Sequence, residues 1–215
     1  MILQSEALLF DLDQTLVRSS FAIDSAWAQF AERVHLDFSD IKLLLPGRRD
    51  SDIIALTCPD MTPRQVRREL AAVRADEIEL AASTEPMPGA AEILSLLDTW
   101  QWAVVTAASR SLMEARMCAA GLPVPAVSIC GEDVSAGKPD PEGFLEAARQ
   151  LMVRPDRCIG FEDSAQGFEA LDAAGMRIIE VNCSPGRQWK SSIISINNYD
   201  ELSLQVVKPY IEIDV

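Results

Sequence analysis

ALLFDLDQTL, residues 7–16, joins four apolar residues to two carboxylates, Asp11 and Asp13. An apolar run of this length, bounded by polar residues, is typical of a buried strand in a parallel sheet. A buried strand that ends in paired acids ends either in a solvated turn or in a functional site. The remainder of the sequence decides between these two interpretations.

Short β-like runs recur after the first one, and helical patterns separate them. This alternation predicts a parallel sheet with right-handed crossovers, that is, a doubly wound, Rossmann-like α/β core. The strands are predicted at 7–10, 102–107, 126–130, 158–161 and 177–182, and the helices between them at 88–99, 110–120, 141–151 and 164–174.

One interval, 18–85, contains no convincing strand but has helical patterns near 20–34, 38–45 and 62–82. It is much longer than an ordinary crossover, so we expect a small, all-helical domain inserted after the first strand. The α/β core then comprises 1–17 and 86–215. At the other end of the chain, Pro209 predicts that the last strand lies at a sheet edge.

Composition restricts the possible partners. The 215 residues include 19 Lys and Arg against 33 Asp and Glu, which gives a formal net charge of −14. Such a surface repels nucleic acid and anionic membranes. No apolar segment has the length of a membrane span or the pattern of a secretory leader, and the five scattered cysteines suit a reducing compartment, so we expect a cytoplasmic protein.

Polar side chains follow several predicted strands at the edge where ligands bind in parallel sheets. Carboxylates gathered there would repel one another unless a cation neutralised them, and Mg²⁺ prefers such oxygen ligands. A hydroxyl and a lysine could bind a phosphoryl group, and one carboxylate could attack phosphorus while the other transfers protons. The candidates are Asp11, Asp13, Thr106, Lys138, Glu162 and Asp163.

Four motifs, DLDQT, VVTAAS, GKPDP and GFEDSAQG, occur in the order typical of the haloacid dehalogenase superfamily. The chain resembles that superfamily over its whole length, with the insertion matching the family's small mobile cap. More narrowly, PMPGAAEILSLL and FEDSAQGFEALDAAGM resemble bacterial sugar-phosphate phosphatases, a group that includes deoxyglucose-phosphate and glycerol phosphatases and the β-phosphoglucomutases.

The resemblance implies roles for individual residues and a monomeric protein. Asp11 would be the nucleophile and Asp13 the general acid and base. Mg²⁺ would be held by Asp11, the backbone carbonyl of Asp13 and Asp163, with Glu162 close by as a further candidate ligand. Thr106 would bind the phosphoryl group together with the backbone amides of Ala107 and Ala108, while Lys138 would balance the negative charge.

One residue departs from the family pattern. Gln14 follows the second acid, where the family normally has Gly. A negative φ would accommodate the Gln side chain, whereas a strained or shifted turn would put the catalytic rate in question. In the insertion, Arg48 and Arg49 follow a Pro-Gly turn and either contact the substrate or belong to a solvated turn.

The function that these motifs favour is a Mg²⁺-dependent phosphatase of small phosphorylated metabolites, above all sugar or polyol phosphates, acting through an aspartyl-phosphate. A phosphosugar mutase is the first alternative, although VRSSFAIDSAW lacks the histidine that mutases usually carry there. A catalytically weak protein that binds a phosphorylated ligand or a protein partner is the second, and Gln14 is its support.

Overall fold

The computed structural model describes residues 1–182 and 194–215, and its largest sheet has six parallel strands. The strands along the chain are β1 (Ile2–Ser5), β2 (Ala7–Phe10), β3 (Val17–Arg18), β4 (Glu85–Pro86), β5 (Trp102–Val105), β6 (Ser128–Ile129), β7 (Cys158–Glu162), β8 (Arg177–Val181), β9 (Ile194–Ile196), β10 (Ser203–Val207) and β11 (Tyr210–Asp214). The order across the large sheet is β6-β5-β2-β7-β8-β9, which confirms the predicted α/β core.

Helices occupy most of the intervals in which helical patterns were predicted, and one further helix, α3, forms just after the Pro-Gly turn of the insertion. Helix α3 was not predicted because its short sequence, DSDIIALT, has only a narrow apolar face, formed by the buried Ile53 and Ile54. The helices are α1 (Ser20–Val34), α2 (Phe38–Lys42), α3 (Asp50–Thr57), α4 (Pro63–Leu80), α5 (Ala90–Ser95), α6 (Arg110–Ala119), α7 (Glu142–Gln150) and α8 (Ala165–Ala173).

The large sheet is buried on both faces because successive side chains of a strand point to opposite sides. Leu8 and Phe10 of β2 belong to one hydrophobic cluster, and Ala7 and Leu9 belong to a second cluster. Burial on both faces explains why β2 is apolar throughout rather than alternating with polar residues. It also leaves only the strand ends free to present polar side chains.

Helices α1 to α4 share a hydrophobic cluster of their own, in which Trp27 meets Phe30 edge to face with ring centroids 5.2 Å apart. The two connections to the rest of the chain lie side by side, since β3 pairs with β4. This arrangement supports a helical cap, whose boundaries at 18 and 85 stay a prediction.

The prediction from Pro209 was wrong. The last strand, β11, is the central strand of a second, antiparallel sheet with the order β1-β11-β10. Pro209 lies in the turn between β10 and β11, where its missing N–H removes no hydrogen bond between strands. A proline directly before a strand therefore says nothing about whether that strand lies at an edge.

Two remaining expectations concern cysteines and membranes. Cys58, Cys118, Cys130 and Cys158 are free thiols, whereas Cys183 lies outside the described residues. None of the helices in the described ranges combines the length and the hydropathy needed to cross a bilayer.

Candidate active site

Three adjacent strands end at one place and carry the predicted acids and hydroxyl. β2 lies between β5 and β7, and Asp11, Thr106 and Asp163 directly follow these strands. All three residues, together with Asp13, line one cavity of about 260 Å³. The sheet topology thus brings together residues that are far apart in the sequence.

Lys138 joins the nucleophile candidate to the acid that ends β7. Its Nζ lies 2.6 Å from Oδ1 of Asp11 and 2.6 Å from Oε2 of Glu162. All three side chains are almost inaccessible to solvent. The two carboxylates raise the pKa of Lys138, although its burial works in the opposite direction, so this lysine remains a fixed positive charge.

Glu162 is held from its other side by the loop that starts α8. Its Oε1 accepts hydrogen bonds from the backbone N–H groups of Asp163 and Ser164 and from the hydroxyl of Ser164. Gly167 permits this packing, because a Cβ there would come within 1.9 Å of the Glu162 carboxylate. Ser164 also accepts from the N–H of Gly167 and is therefore the N-cap of α8.

Asp11, Glu162 and Asp163 each have a carboxylate oxygen within 4.8 Å of the others, so the cluster could hold a metal ion. Burial, and then the nearby Glu162, raise the pKa of Asp11 to about 7 and that of Asp163 well above its usual range. Lys138 is therefore not enough to offset the negative charge gathered here. A bound divalent cation would supply the missing positive charge, and the donor set fits a hard metal.

Asp13 points to a different set of partners from Asp11. Its Oδ1 accepts from the Ser19 hydroxyl at 2.6 Å, and its Oδ2 accepts from Nη1 of Arg116 at 2.7 Å. The turn that carries Asp13 is closed by a hydrogen bond of 2.7 Å from the N–H of Gln14 to the carbonyl of Val17. Both oxygens of the Asp13 carboxyl are thereby oriented.

Gln14 does not adopt the negative φ that would accommodate it, because its φ is +66°. The left-handed backbone expected of a glycine is therefore kept, at a cost to a residue with a Cβ. The side-chain amide offsets part of that cost. In the orientation that satisfies both of its ends, its oxygen lies 3.0 Å from the N–H of Ser19 and 2.9 Å from that of Ser20, at the start of α1.

Thr106 and the two alanines after it form the cavity wall at the end of β5. The Thr106 hydroxyl oxygen accepts a hydrogen bond of 3.1 Å from the N–H of Ala108. It is buried and still has a proton to donate into the cavity. The Ala108 amide, which was predicted to bind a phosphoryl oxygen, is instead engaged by Thr106, so the hydroxyl of Thr106 is a donor that this loop offers to an oxyanion.

The two arginines of the insertion have different surroundings. Arg48 lines the cavity, and its Nη1 donates to the carbonyl of Leu44 at 3.1 Å. Arg49 does not line it: the guanidinium is bound to Asp52 and to the carbonyls of Val134 and Ser135. Arg49 thus joins α3 to the loop that precedes Lys138.

The insertion closes the cavity over the acids. Gly47 lies so close to the loop at α8 that a Cβ would come within 2.6 Å of the Ser164 hydroxyl. Cap residues form much of the wall, and they are Ser20, Ile23, Asp24, Trp27, Lys42, Leu45, Pro46, Gly47, Arg48, Asp50, Ile53 and Glu77.

Arg116, Asp50 and Glu77 also line the cavity, although no motif in the sequence marked them as site residues. A signal for Arg116 existed. It occurs between Met113 and Met117 on the buried face of α6, where an arginine needs a partner. The two acids depend on how the helices of the insertion meet the core, which their local sequence does not report.

Comparisons with known proteins agree with this geometry. The family model described as haloacid dehalogenase-like hydrolase matches residues 6–175. Hexitol phosphatase A of Escherichia coli is 34% identical over 185 residues, which cover 84% of each chain. Glycerol-1-phosphate phosphohydrolase 2 of Saccharomyces cerevisiae is 28% identical over 83% of this chain and 75% of its own.

Solved structures agree with the fold. The crystal structure of CbbY from Rhodobacter sphaeroides in complex with phosphate superposes with a TM-score of 0.79 at 24% identity. The match covers 92% of this chain and 96% of that one, so it includes the insertion as well as the sheet.

Proposed function

Since the chain belongs to the haloacid dehalogenase-like hydrolases, we propose that it hydrolyses small phosphorylated metabolites, with sugar and polyol phosphates as the substrate class. One observation carries this proposal. Asp11, bound to Lys138, opens on the same cavity as Asp13 and Thr106. A nucleophile, a proton-transfer group and a hydrogen-bond donor to the phosphoryl group thus share one enclosed space.

The reaction proceeds in two displacements. The Asp11 carboxylate attacks phosphorus, the bond from phosphorus to the ester oxygen breaks, and Asp13 gives that oxygen its proton. Water then attacks the aspartyl-phosphate, Asp13 takes the proton of that water, and Asp11 is released with inorganic phosphate. Thr106 and Lys138 bind the phosphoryl oxygens and stabilise their charge.

Mg²⁺ fits the cluster, with Asp11, Asp163 and the backbone carbonyl of Asp13 as its protein ligands. When bound, it supplies positive charge to the phosphoryl group. Glu162 serves mainly as an anchor in this proposal, because its two oxygens already accept from Lys138 and from the loop at α8. Its role is to fix the side chain of Lys138 and the backbone at Asp163.

The cap side of the cavity favours a polyhydroxylated leaving group. Asp24, Lys42, Arg48 and Asp50 offer hydrogen-bonding groups there, beside apolar surface from Trp27. A space of about 260 Å³ admits a compact molecule and excludes a folded protein or a duplex. The relatives named for hexitol and glycerol phosphates act on compounds of this kind.

We further propose that the enzyme is a monomer and that it acts in the cytoplasm.

The test is phosphate release from a panel of sugar, polyol and small-acid phosphates, with Mg²⁺ and with a chelator. Release that requires Mg²⁺ is expected, together with loss of turnover but retained substrate binding in Asp11→Asn. Asp60→Asn, an exposed acid in the insertion, is the matched control and should behave as wild type.

Other outcomes would contradict the proposal in distinct ways. Equal activity in Asp11→Asn and wild type would exclude the aspartyl-phosphate. Isomerised sugar phosphate without release would identify a mutase. Binding of the panel compounds without any turnover would identify a binding protein.

A further inference from the structure

A buried arginine connects the proton-transfer acid to the cap. Arg116 of α6 is 1% exposed. Its Nη1 lies 2.7 Å from Oδ2 of Asp13, and its Nη2 lies 3.1 Å from Oε1 of Glu77 in α4. One guanidinium thus binds a carboxylate of the core loop and a carboxyl group of the insertion. Because the guanidinium is planar and its donors have fixed directions, it constrains both partners at once.

The second restraint on Asp13 also comes from the start of the insertion. The Ser19 hydroxyl, which precedes α1, donates to Oδ1 of Asp13 at 2.6 Å. The Asp13 carboxyl is therefore clamped between α6 on one side and the first cap helix on the other. Its orientation toward the cavity depends on how the insertion is docked.

This network is poorly suited to a purely stabilising role. Within residues 1–182 and 194–215, Nε of Arg116 and Oε2 of Glu77 are buried without a hydrogen-bond partner. A buried polar network that is only partly satisfied contributes little to stability, and apolar residues of similar volume often serve as well. The arrangement makes more sense as a device that sets the position of Asp13.

We propose, on the basis of the function given above, that Arg116 is a positioning residue that holds Asp13 in line with the ester oxygen. Glu77 holds the other arm of Arg116, so the acid is correctly placed only while the cap covers the site. Proton delivery to the leaving group is thereby coupled to cap closure, so that an ester is cleaved only once the cap encloses it.

The test compares two substrates that differ in their need for a proton. The leaving group of an alkyl phosphate departs as a strongly basic alkoxide unless Asp13 protonates it. The leaving group of p-nitrophenyl phosphate, p-nitrophenolate, departs without a proton. In single-turnover measurements, Arg116→Lys should lower the phosphorylation rate with the alkyl ester by about 100-fold. The rate with p-nitrophenyl phosphate should stay within about 3-fold of wild type, because that step does not need the acid.

Removing Arg116 alone leaves Glu77 buried without its partner and could prevent folding. The double variant Arg116→Met with Glu77→Met avoids this problem, since it replaces the pair by apolar side chains. It should melt near the wild-type temperature, bind inorganic phosphate with wild-type affinity, and show the same selective loss with the alkyl ester. Glu77→Met alone should show a smaller selective loss, while Glu79→Met, exposed on the same helix, is the control.

Several results would overturn the inference. Equal losses with both esters, or loss of phosphate binding in the double variant, would show that Arg116 maintains the site as a whole. Wild-type rates with the alkyl ester in Arg116→Lys and in the double variant would show that Asp13 needs no such support. A wild-type protein that hydrolyses neither ester would overturn the proposed function and this inference with it, an outcome distinct from the others.

Discussion

Nζ of Lys138 lies 2.6 Å from Oδ1 of Asp11, and both side chains are almost fully buried. The contact joins the loop after β6 to the residue that directly follows β2. In the proposed mechanism, this lysine neutralises the acid that attacks the negatively charged phosphoryl group. It also supplies part of the charge that holds the acids together.

Lys138→Met should therefore impair both stability and activity. Removing one partner of a buried charge cluster leaves carboxylates uncompensated, which costs about 3–5 kcal/mol. Turnover should fall by about 100-fold or more, because the phosphoryl oxygens lose a fixed positive charge that stabilises them. Urea denaturation and phosphate release measure the two effects. Lys208→Met, at an exposed lysine, should change neither, and wild-type turnover in Lys138→Met would refute the role given to this residue.

Gln14 allows the backbone strain to be separated from the side-chain contacts. Gln14→Gly relieves the strain of φ +66° but loses the amide contact with Ser19 and Ser20, so its stability should differ little from wild type. Gln14→Ala keeps the strain and loses the contact, and it should be about 1–2 kcal/mol less stable than Gln14→Gly. Chemical denaturation measures this difference. Equal stabilities of the two variants would mean that the turn changes its conformation on substitution.

Gly47 should be required for the fit of the cap loop on the core. Gly47→Ala introduces a Cβ within 2.6 Å of the Ser164 hydroxyl, at a φ of +72°. The loop must move, and we expect kcat/KM to fall by about 10-fold or more, since a small misplacement of a closing element is costly.

Gly121→Ala is the matched control for that substitution. Its φ is +68°, and a Cβ there would meet nothing within 4 Å. It should lose about the same 1–2 kcal/mol from backbone strain while keeping its kcat/KM. Similar kinetic losses in both variants would indicate that strain, rather than contact with Ser164, affects the enzyme.

The two neighbouring arginines should differ in their effects. Arg48 lines the cavity, so Arg48→Ala should raise KM about 10-fold with little change in stability, consistent with the loss of a charged hydrogen bond. Arg49→Ala breaks the contacts with the loop at 134–135 and should loosen the cap, which limited proteolysis can detect. Arg64→Ala, exposed on α4, serves as the control. A larger KM effect in Arg49→Ala than in Arg48→Ala would reverse the assignment.

Glu77 should make the stability of the protein depend on pH. Burial and then the charge of Asp50 raise its pKa from 4.5 to about 8, although Arg116 acts in the opposite direction. Between these values the folded protein retains a proton that the unfolded chain has lost, so the free energy of unfolding falls as pH rises from about 4.5 to about 8. Glu77→Gln removes this ionisation and should flatten the profile over that window, as thermal melts at several pH values would show. An unchanged slope in Glu77→Gln would assign the pH dependence to other groups.

Much of the core followed from local sequence patterns. The runs predicted at 7–10, 102–107 and 158–161 form strands because both faces of the sheet are buried. The acids and the hydroxyl at their ends share one edge because parallel strands end together. The positive φ of Gln14 and the central place of β11 did not follow from the sequence. Backbone angles and strand neighbours depend on contacts between distant segments, which a local pattern does not contain.

The sequence by itself determined the fold class and indicated the acids, hydroxyl and lysine of the proposed site. The acids and the hydroxyl lie at or just after strand ends, where a parallel sheet binds its ligands, and Lys138 lies in the loop after β6. Only the tertiary structure decided which arginine lines the cavity, and that Asp13 is held by Arg116 and, through it, by Glu77. The physical reason is that a charged side chain on a helix looks solvated in its local sequence. Its true surroundings arise only when the insertion packs against the core and removes water from both surfaces.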